Sequence, residues 1–280
     1  MDSITLNKLP SLSKSYRQLI FGKRQNSLSR DGFPKLEINL PGVTPDSFML
    51  EKFLKLCSSE PSDSLPITFP YIMAGPLHLY LLSHPKFPLK SAGLLHLRNR
   101  IEYISKIPAY QAVDLTVKTS ECRYRPQGFE FEVVTSAAIQ GKVHWTCKST
   151  FLKKGKFSKE DPASEDEELF VKLEKDPDCK SFKVPGNAGR QYAGLCKDYN
   201  PIHIFTPLAW LFGFKKSIAH GMWVAARSLS EMGVTDVKNF DLAFKGPVFT
   251  GSKVSIVKEN EHFNLFCSGN SRPVILGRVS

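Results

Sequence analysis

A chain of 280 residues, 41% hydrophobic and 23% charged, is long enough for one large or two ordinary globular domains. No apolar run reaches the ~18–20 residues of a membrane-spanning helix, and the N-terminus lacks a signal peptide's continuous apolar segment, so no membrane span and a cytoplasmic location are expected. A net charge of +11 suits a polyanionic ligand, but without an RNP-like run, zinc finger or KH glycine loop nucleic acid is not an expected partner.

Residues 1–34 read as an N-terminal extension holding a short helix within 9–21. Leu36-Glu37-Ile38-Asn39-Leu40 alternates like a strand with one buried face. Thr44-Pro45-Asp46 supplies an N-cap with Pro at the first helical position, and Phe48, Phe53, Leu54 and Leu56 carry a helix to Cys57. Pro76 is tolerable in the first turn of an apolar helix through Leu77, Leu79, Tyr80, Leu81 and Leu82. From Leu94 to Leu152 the apolar period falls to two, predicting four or five long strands with turns at Arg125-Pro126-Gln127-Gly128 and Gln140-Gly141-Lys142. Residues 153–180 hold 16 charges in 28 positions and read as a solvated linker.

The second half repeats the first. A strand at 181–184 answers 36–40, a helix ending at Cys196 answers the one ending at Cys57, and the apolar run 218–229 answers 72–81. Four strands follow, near 240–244, 253–259, 262–267 and 274–279. Two copies of strand, helix, loop, apolar helix and antiparallel strands predict a tandem α+β architecture. The expected units are 1–34, 35–152, 153–180 and 181–280. Six cysteines (Cys57, Cys122, Cys147, Cys179, Cys196 and Cys267) are scattered without a CxxC pair and read as reduced thiols.

Residues 192–232 hold the densest set of chemically committed side chains. Asp198, Asn200, Pro201 and His203 fall within six positions, and Ile218-Ala219-His220-Gly221-Met222 follows. Pro201 disfavours an α conformation at Asn200, so Asp198 and His203 are expected on an irregular bend. Leu208, Leu211, Phe212 and Ile218 suggest a short helix broken near Gly213. A second helix opens at Gly221, with Met222, Ala225, Ala226, Leu229 and Met232 on one face and Gly233 to end it. Its first turn offers free backbone N–H groups beside the carboxylate and imidazole.

The run Asp198-Tyr199-Asn200-Pro201-Ile202-His203, then five residues and Ala209, resembles the hydratase 2 motif of MaoC-like dehydratases and (R)-specific enoyl-CoA hydratases. The Gly213-Phe214 and Ile218–Met222 runs stand where that family has them. One departure is visible: Cys196-Lys197 stands where the family usually has Ser-Gly. The resemblance implies a double hotdog, each copy an antiparallel sheet wrapped around a central apolar helix, spanning roughly 35–280. It also implies fatty-acid chemistry on acyl-CoA: reversible hydration of trans-2-enoyl thioesters by Asp198 and His203 holding one water. Gly221 would then supply the oxyanion donor, Asn200 brace the loop, and His220 either lie near the thioester or cap the helix behind it, the residues fitting both equally.

No metal, nicotinamide or flavin motif is present, and no cofactor is expected. His203 is assigned to activate the water and Asp198 to relay the proton, although the residues fit the reverse equally well. The first copy has Ser58-Ser59-Glu60-Pro61-Ser62-Asp63 at the matching place and no histidine there, so it reads as non-catalytic; the resemblance implies that it accommodates the acyl tail. His78, His84 and His96 read as structural or surface residues, and Cys196 as packing rather than a nucleophile. The alternatives are a 3-hydroxyacyl thioester on acyl carrier protein, or an acyl-CoA-binding subunit without turnover. A homodimer, or a pseudo-dimer within one chain, fits the fold.

Overall fold

A computed structural model describes residues 2–24, 32–91, 93–157, 160–162, 169–176 and 178–280. In chain order the first half contains β1 (Asp2–Thr5), α1 (Leu12–Phe21), β2 (Leu36–Val43), α2 (Ser47–Cys57), α3 (Phe69–Met73), α4 (Gly75–Ser83), β3 (Leu94–Tyr103), β4 (Val113–Arg125), β5 (Gly128–Ile139) and β6 (Lys142–Lys154). The second contains β7 (Lys180–Lys183), α5 (Ala188–Cys196), α6 (Pro201–Ile204), α7 (Thr206–Trp210), α8 (Gly221–Met232), β8 (Asn239–Phe244), β9 (Lys253–Glu259), β10 (His262–Cys267) and β11 (Ile275–Val279).

All eleven strands form one sheet in the order β1-β2-β4-β5-β6-β3-β8-β11-β10-β9-β7. The halves have the same internal order, β2-β4-β5-β6-β3 and β7-β9-β10-β11-β8, so the repeat legible in the sequence is a repeat in space. They join where β3 and β8 pair antiparallel, from Arg98↔Ala243 to Glu102↔Asn239. An edge that would otherwise be exposed is thereby closed within one chain. The architecture is the expected tandem hotdog, internally paired.

The helices lie against this sheet because of their apolar faces. In α8, Met222, Trp223, Val224, Ala225, Ala226, Ser228 and Leu229 are buried, and Gly233 ends the helix in left-handed backbone (φ 72). Full burial of a large apolar side chain contributes about 1.5–3 kcal/mol, so α8 is anchored mainly by packing. The Trp223 indole donates to the Leu56 carbonyl at 3.1 Å, tying α8 to the end of α2. In the first half the equivalent apolar run is broken in two, α3 and α4, with Pro76 in the first turn of α4.

Three expectations change. The extension is not separate from the fold: β1 pairs parallel with β2, Asp2↔Leu36 to Thr5↔Asn39. The α2 cap is Asp46, not Thr44, because its Oδ1 accepts the Met49 N–H at 2.7 Å. The short helix expected before Gly213 is α7, one turn long; it lies outside the core, with Leu208, Leu211 (79%) and Phe212 exposed and only Ile218 of that apolar set buried. The charged linker overlaps residues 158, 159, 163–168 and 177, which lie outside the described residues. Its described parts dock: Asp161 accepts the Tyr124 N–H at 2.8 Å, and Leu173 is buried with Val257 and Phe266.

Candidate active site

The site forms where the end of α5, the turn of α6 and the start of α8 meet. Lys197 ends α5 in left-handed backbone (φ 62), its N–H bonded to the Ala193 carbonyl at 2.9 Å. A residue with a Cβ takes this conformation at a cost of roughly 1–2 kcal/mol. The reversal turns Asp198 outward, its side chain 55% exposed, with Oδ1 accepting the Asn200 N–H at 3.1 Å. Asn200 then caps α6, accepting from the Ile202 N–H at 3.4 Å, and Pro201 takes the first helical position, where a missing N–H costs nothing. The expected bend is therefore an Asx turn followed by one helical turn, which swings His203 back toward Asp198.

His203 Nδ1 lies 2.9 Å from the Ile218 carbonyl. A carbonyl only accepts, so Nδ1 carries the proton and Nε2 keeps its lone pair. His220, the residue before α8, donates from Nε2 to the Asp198 backbone carbonyl at 3.1 Å and lies 3.7 Å from its Oδ2. The two imidazoles stack, centroids 3.7 Å apart and 26° from parallel. One ligating atom each from Asp198, His203 and His220 lies within 4.8 Å of the others, yet no hydrogen bond joins Asp198 to His203 directly. One water making bonds of about 2.8 Å to each would span such a gap.

Burial lowers the pKa of His203, opposed by the Asp198 charge and the Ile218 bond. Burial, and then the neighbouring His203, hold His220 well below the ordinary range. Both rings are therefore neutral at pH 7. Carboxylate and paired imidazoles are also a plausible cation set by type. One nitrogen of each ring is already engaged, His203 Nδ1 with the Ile218 carbonyl and His220 Nε2 with the Asp198 carbonyl.

At the start of α8 the Gly221 and Met222 N–H groups donate to no acceptor among the described residues, as the first turn of a helix leaves them. A Cβ at Gly221 would lie 2.6 Å from the Phe244 ring, so glycine there admits the β8 aromatic. Cys196 is buried, which pushes its thiol pKa far up, so it is a packing residue. His78 bonds Thr135 at 2.7 Å and His96 bonds Asn99 at 2.9 Å; burial lowers their pKa values to about 3 and about 4.

Asp198, Asn200, His203, His220 and Gly221 are thus brought to one place. Reading the sequence missed their supports. A Cβ on Gly189 would overlap the His203 carbonyl oxygen, and one on Gly75 the Cys196 carbonyl oxygen. Gly189, inside a helical pattern, carried the one available signal, since an interior glycine marks a close approach. The hydroxyl of Tyr16, from α1, bonds the loop on both sides of Asp198, and nothing near Tyr16 in the sequence indicates it.

Residues 171–269 match the family described as MaoC like domain. The chain is 26% identical over 220 residues to 3-hydroxyacyl-thioester dehydratase X of Mycobacterium tuberculosis, covering 78% of each. The crystal structure of that bacterium's HtdX superposes with a TM-score of 0.71 at 23% identity, over 87% of this chain and 98% of that one. A MaoC-like dehydratase from Phytophthora capsici gives 0.69 at 17% identity, over 90% and 97%. A further Mycobacterium tuberculosis protein described as a double hotdog gives 0.55 at 11% identity, over 85% and 92%.

Proposed function

From a double hotdog whose C-terminal half is a MaoC-like domain, we propose a hydro-lyase that adds water reversibly to trans-2-enoyl thioesters and dehydrates (R)-3-hydroxyacyl thioesters. CoA is the carrier in this reading and the cytoplasm its location. The observation that carries it is the geometry of the dyad: His203 Nδ1 meets the Ile218 carbonyl at 2.9 Å, which puts the ring proton there and leaves Nε2 its lone pair, and a ring nitrogen lies within 4.8 Å of the exposed Asp198 carboxylate.

Syn addition needs a base for water, a proton at the α-carbon and a donor for the thioester oxygen. His203 Nε2 takes one proton as the water oxygen bonds to the β-carbon. The π electrons move to the thioester oxygen, where the unpartnered N–H groups at the start of α8 receive the charge. The proton taken by His203 passes by way of Asp198 to the α-carbon on the same face, and both groups return to their starting forms. The tautomer favours His203 as the base over the reverse assignment. Asn200 holds the loop, and the stacked His220, bonded to the Asp198 carbonyl, fixes the dyad's spacing.

The test is loss of enoyl absorbance with crotonyl-CoA and with the carrier-protein thioester, followed by chirality of the product. Turnover of the CoA form to the (R)-3-hydroxy product supports the reading. Turnover of the carrier-protein form alone reassigns the carrier, and tight binding of both without turnover makes the chain a binding subunit.

A further inference from the structure

We infer that Tyr16, on the helix of the N-terminal extension, is a positioning residue that holds the Asp198 loop in its reactive shape; this rests on the hydratase reading above. Tyr16 is the eleventh residue after β1 leaves the sheet edge, on a helix capped by Ser11, and lies far in sequence from the loop. Its hydroxyl donates to the Lys197 carbonyl at 2.7 Å and accepts the Tyr199 N–H at 2.7 Å. A phenol has one proton to give and lone pairs to receive, so both bonds form together. The two peptide groups they fix lie on either side of Asp198. The Tyr16 ring also meets Tyr199 edge-on, centroids 6.2 Å apart at 65°.

The loop needs such a brace at one particular residue. Lys197 holds φ 62, a conformation that glycine takes freely and lysine does not. Glycine is the residue the hydratase 2 resemblance leads one to expect there. The Tyr16 bond to the Lys197 carbonyl helps offset that cost, as does the Lys197 ammonium donating to the Gly194 carbonyl at 2.5 Å. Burial raises the pKa of the Tyr16 phenol, so it keeps the proton it donates. The extension is itself fastened to the first half. β1 pairs with β2, and the Arg24 guanidinium donates to the Leu82 carbonyl at 3.0 Å and the Phe87 carbonyl at 3.3 Å. A strap from the first half's outer edge thus reaches the second half's reactive loop.

Tyr16→Phe removes one oxygen and leaves the ring. Displacement of a reacting group by about 1 Å can cost up to about 10²-fold in rate; a loop held by its remaining bonds should lose roughly tenfold in kcat, with KM within about twofold. Amide hydrogen exchange of a peptide covering 197–200 should quicken in the variant. Adding Lys197→Gly to Tyr16→Phe should recover most of the lost kcat, because glycine removes the strain that the brace offsets. Wild-type exchange in Tyr16→Phe would overturn the brace, whether or not the protein turns over any thioester. Faster exchange with unchanged kcat would overturn its part in catalysis, and a double variant no better than Tyr16→Phe would overturn the strain account. A wild-type protein inert on every thioester would sink the hydratase reading instead, with exchange still deciding the brace.

Discussion

The two halves share a backbone plan and differ in a few side chains. Ile72-Met73-Ala74-Gly75 leads into α4 as Ile218-Ala219-His220-Gly221 leads into α8. A fully buried Ala74 stands where the second half has His220. Cys57 is followed by Ser58 in left-handed backbone (φ 50), as Cys196 is by Lys197 (φ 62). The next residue is Ser59 in one half and Asp198 in the other. Ser59 bonds Ser230 of α8 at 2.6 Å, whereas Asp198 stands exposed. Both halves therefore build the turn and helix start that a site requires, and only one places an acid and a base on them. The first half contributes support: Gly75 against the Cys196 carbonyl, Leu56 under the Trp223 indole, and the buried Asn99 amide 2.8 Å from the Met222 sulfur.

The largest expected effect falls on the second half alone. His203→Ala should lower the hydration rate about 10²–10⁴-fold. The half-buried side chain leaves the core intact, so thermal denaturation should be nearly unchanged; a rate loss matched by a large drop in Tm would mean unfolding instead. Next comes the contact between halves. Gly75→Ala forces a methyl onto a backbone carbonyl, so chemical denaturation should show destabilisation of about 1–3 kcal/mol, together with reduced rate through the displaced Cys196 end of the loop. A Gly75→Ala protein as stable as wild type would contradict this packing.

The pH dependence separates the halves again. In the proposed mechanism His203 must be neutral to act, and burial holds its pKa below the ordinary 6.5, so kcat/KM should be level above about pH 7 and fall only on the acid side. In the first half, His78 and His96 stay neutral down to about 3 and about 4 when folded, but take protons near 6.5 when unfolded. Between those values the unfolded chain binds more protons, so stability should fall as pH falls from about 6.5 toward 4. Thermal melts across that window check it, and His78→Gln should flatten part of the slope.

Much of this was legible in sequence. The apolar runs located the second-half strands to within about a residue, because they are short and largely buried: in β8, β10 and β11 successive residues are covered on both faces. The turn from Asp198 to His203 was legible because local backbone chemistry, Asn-Pro above all, dictates it, whereas the pairing of that turn with His220 and Gly221 was what the hydratase 2 resemblance implied. What could not be read depends on distant contacts. Tyr16 meets the loop from 181 positions away, and Gly189 owes its identity to a carbonyl on another helix. The exposure of Leu208, Leu211 and Phe212 could not be read either, because helical spacing does not say whether anything lies opposite.

The sharpest measurement is the matched pair Asp198→Asn and Ser59→Ala, assayed side by side for enoyl-CoA absorbance and for stability. These substitutions stand at equivalent places in the two halves. Asp198→Asn should lose 10²-fold or more in rate at nearly unchanged stability. Ser59→Ala should keep its rate and lose about 0.5–1.5 kcal/mol with the hydrogen bond to Ser230. Equal rates in Asp198→Asn and wild type, or a rate collapse in Ser59→Ala at preserved fold, would contradict the assignment of the chemistry to the second half.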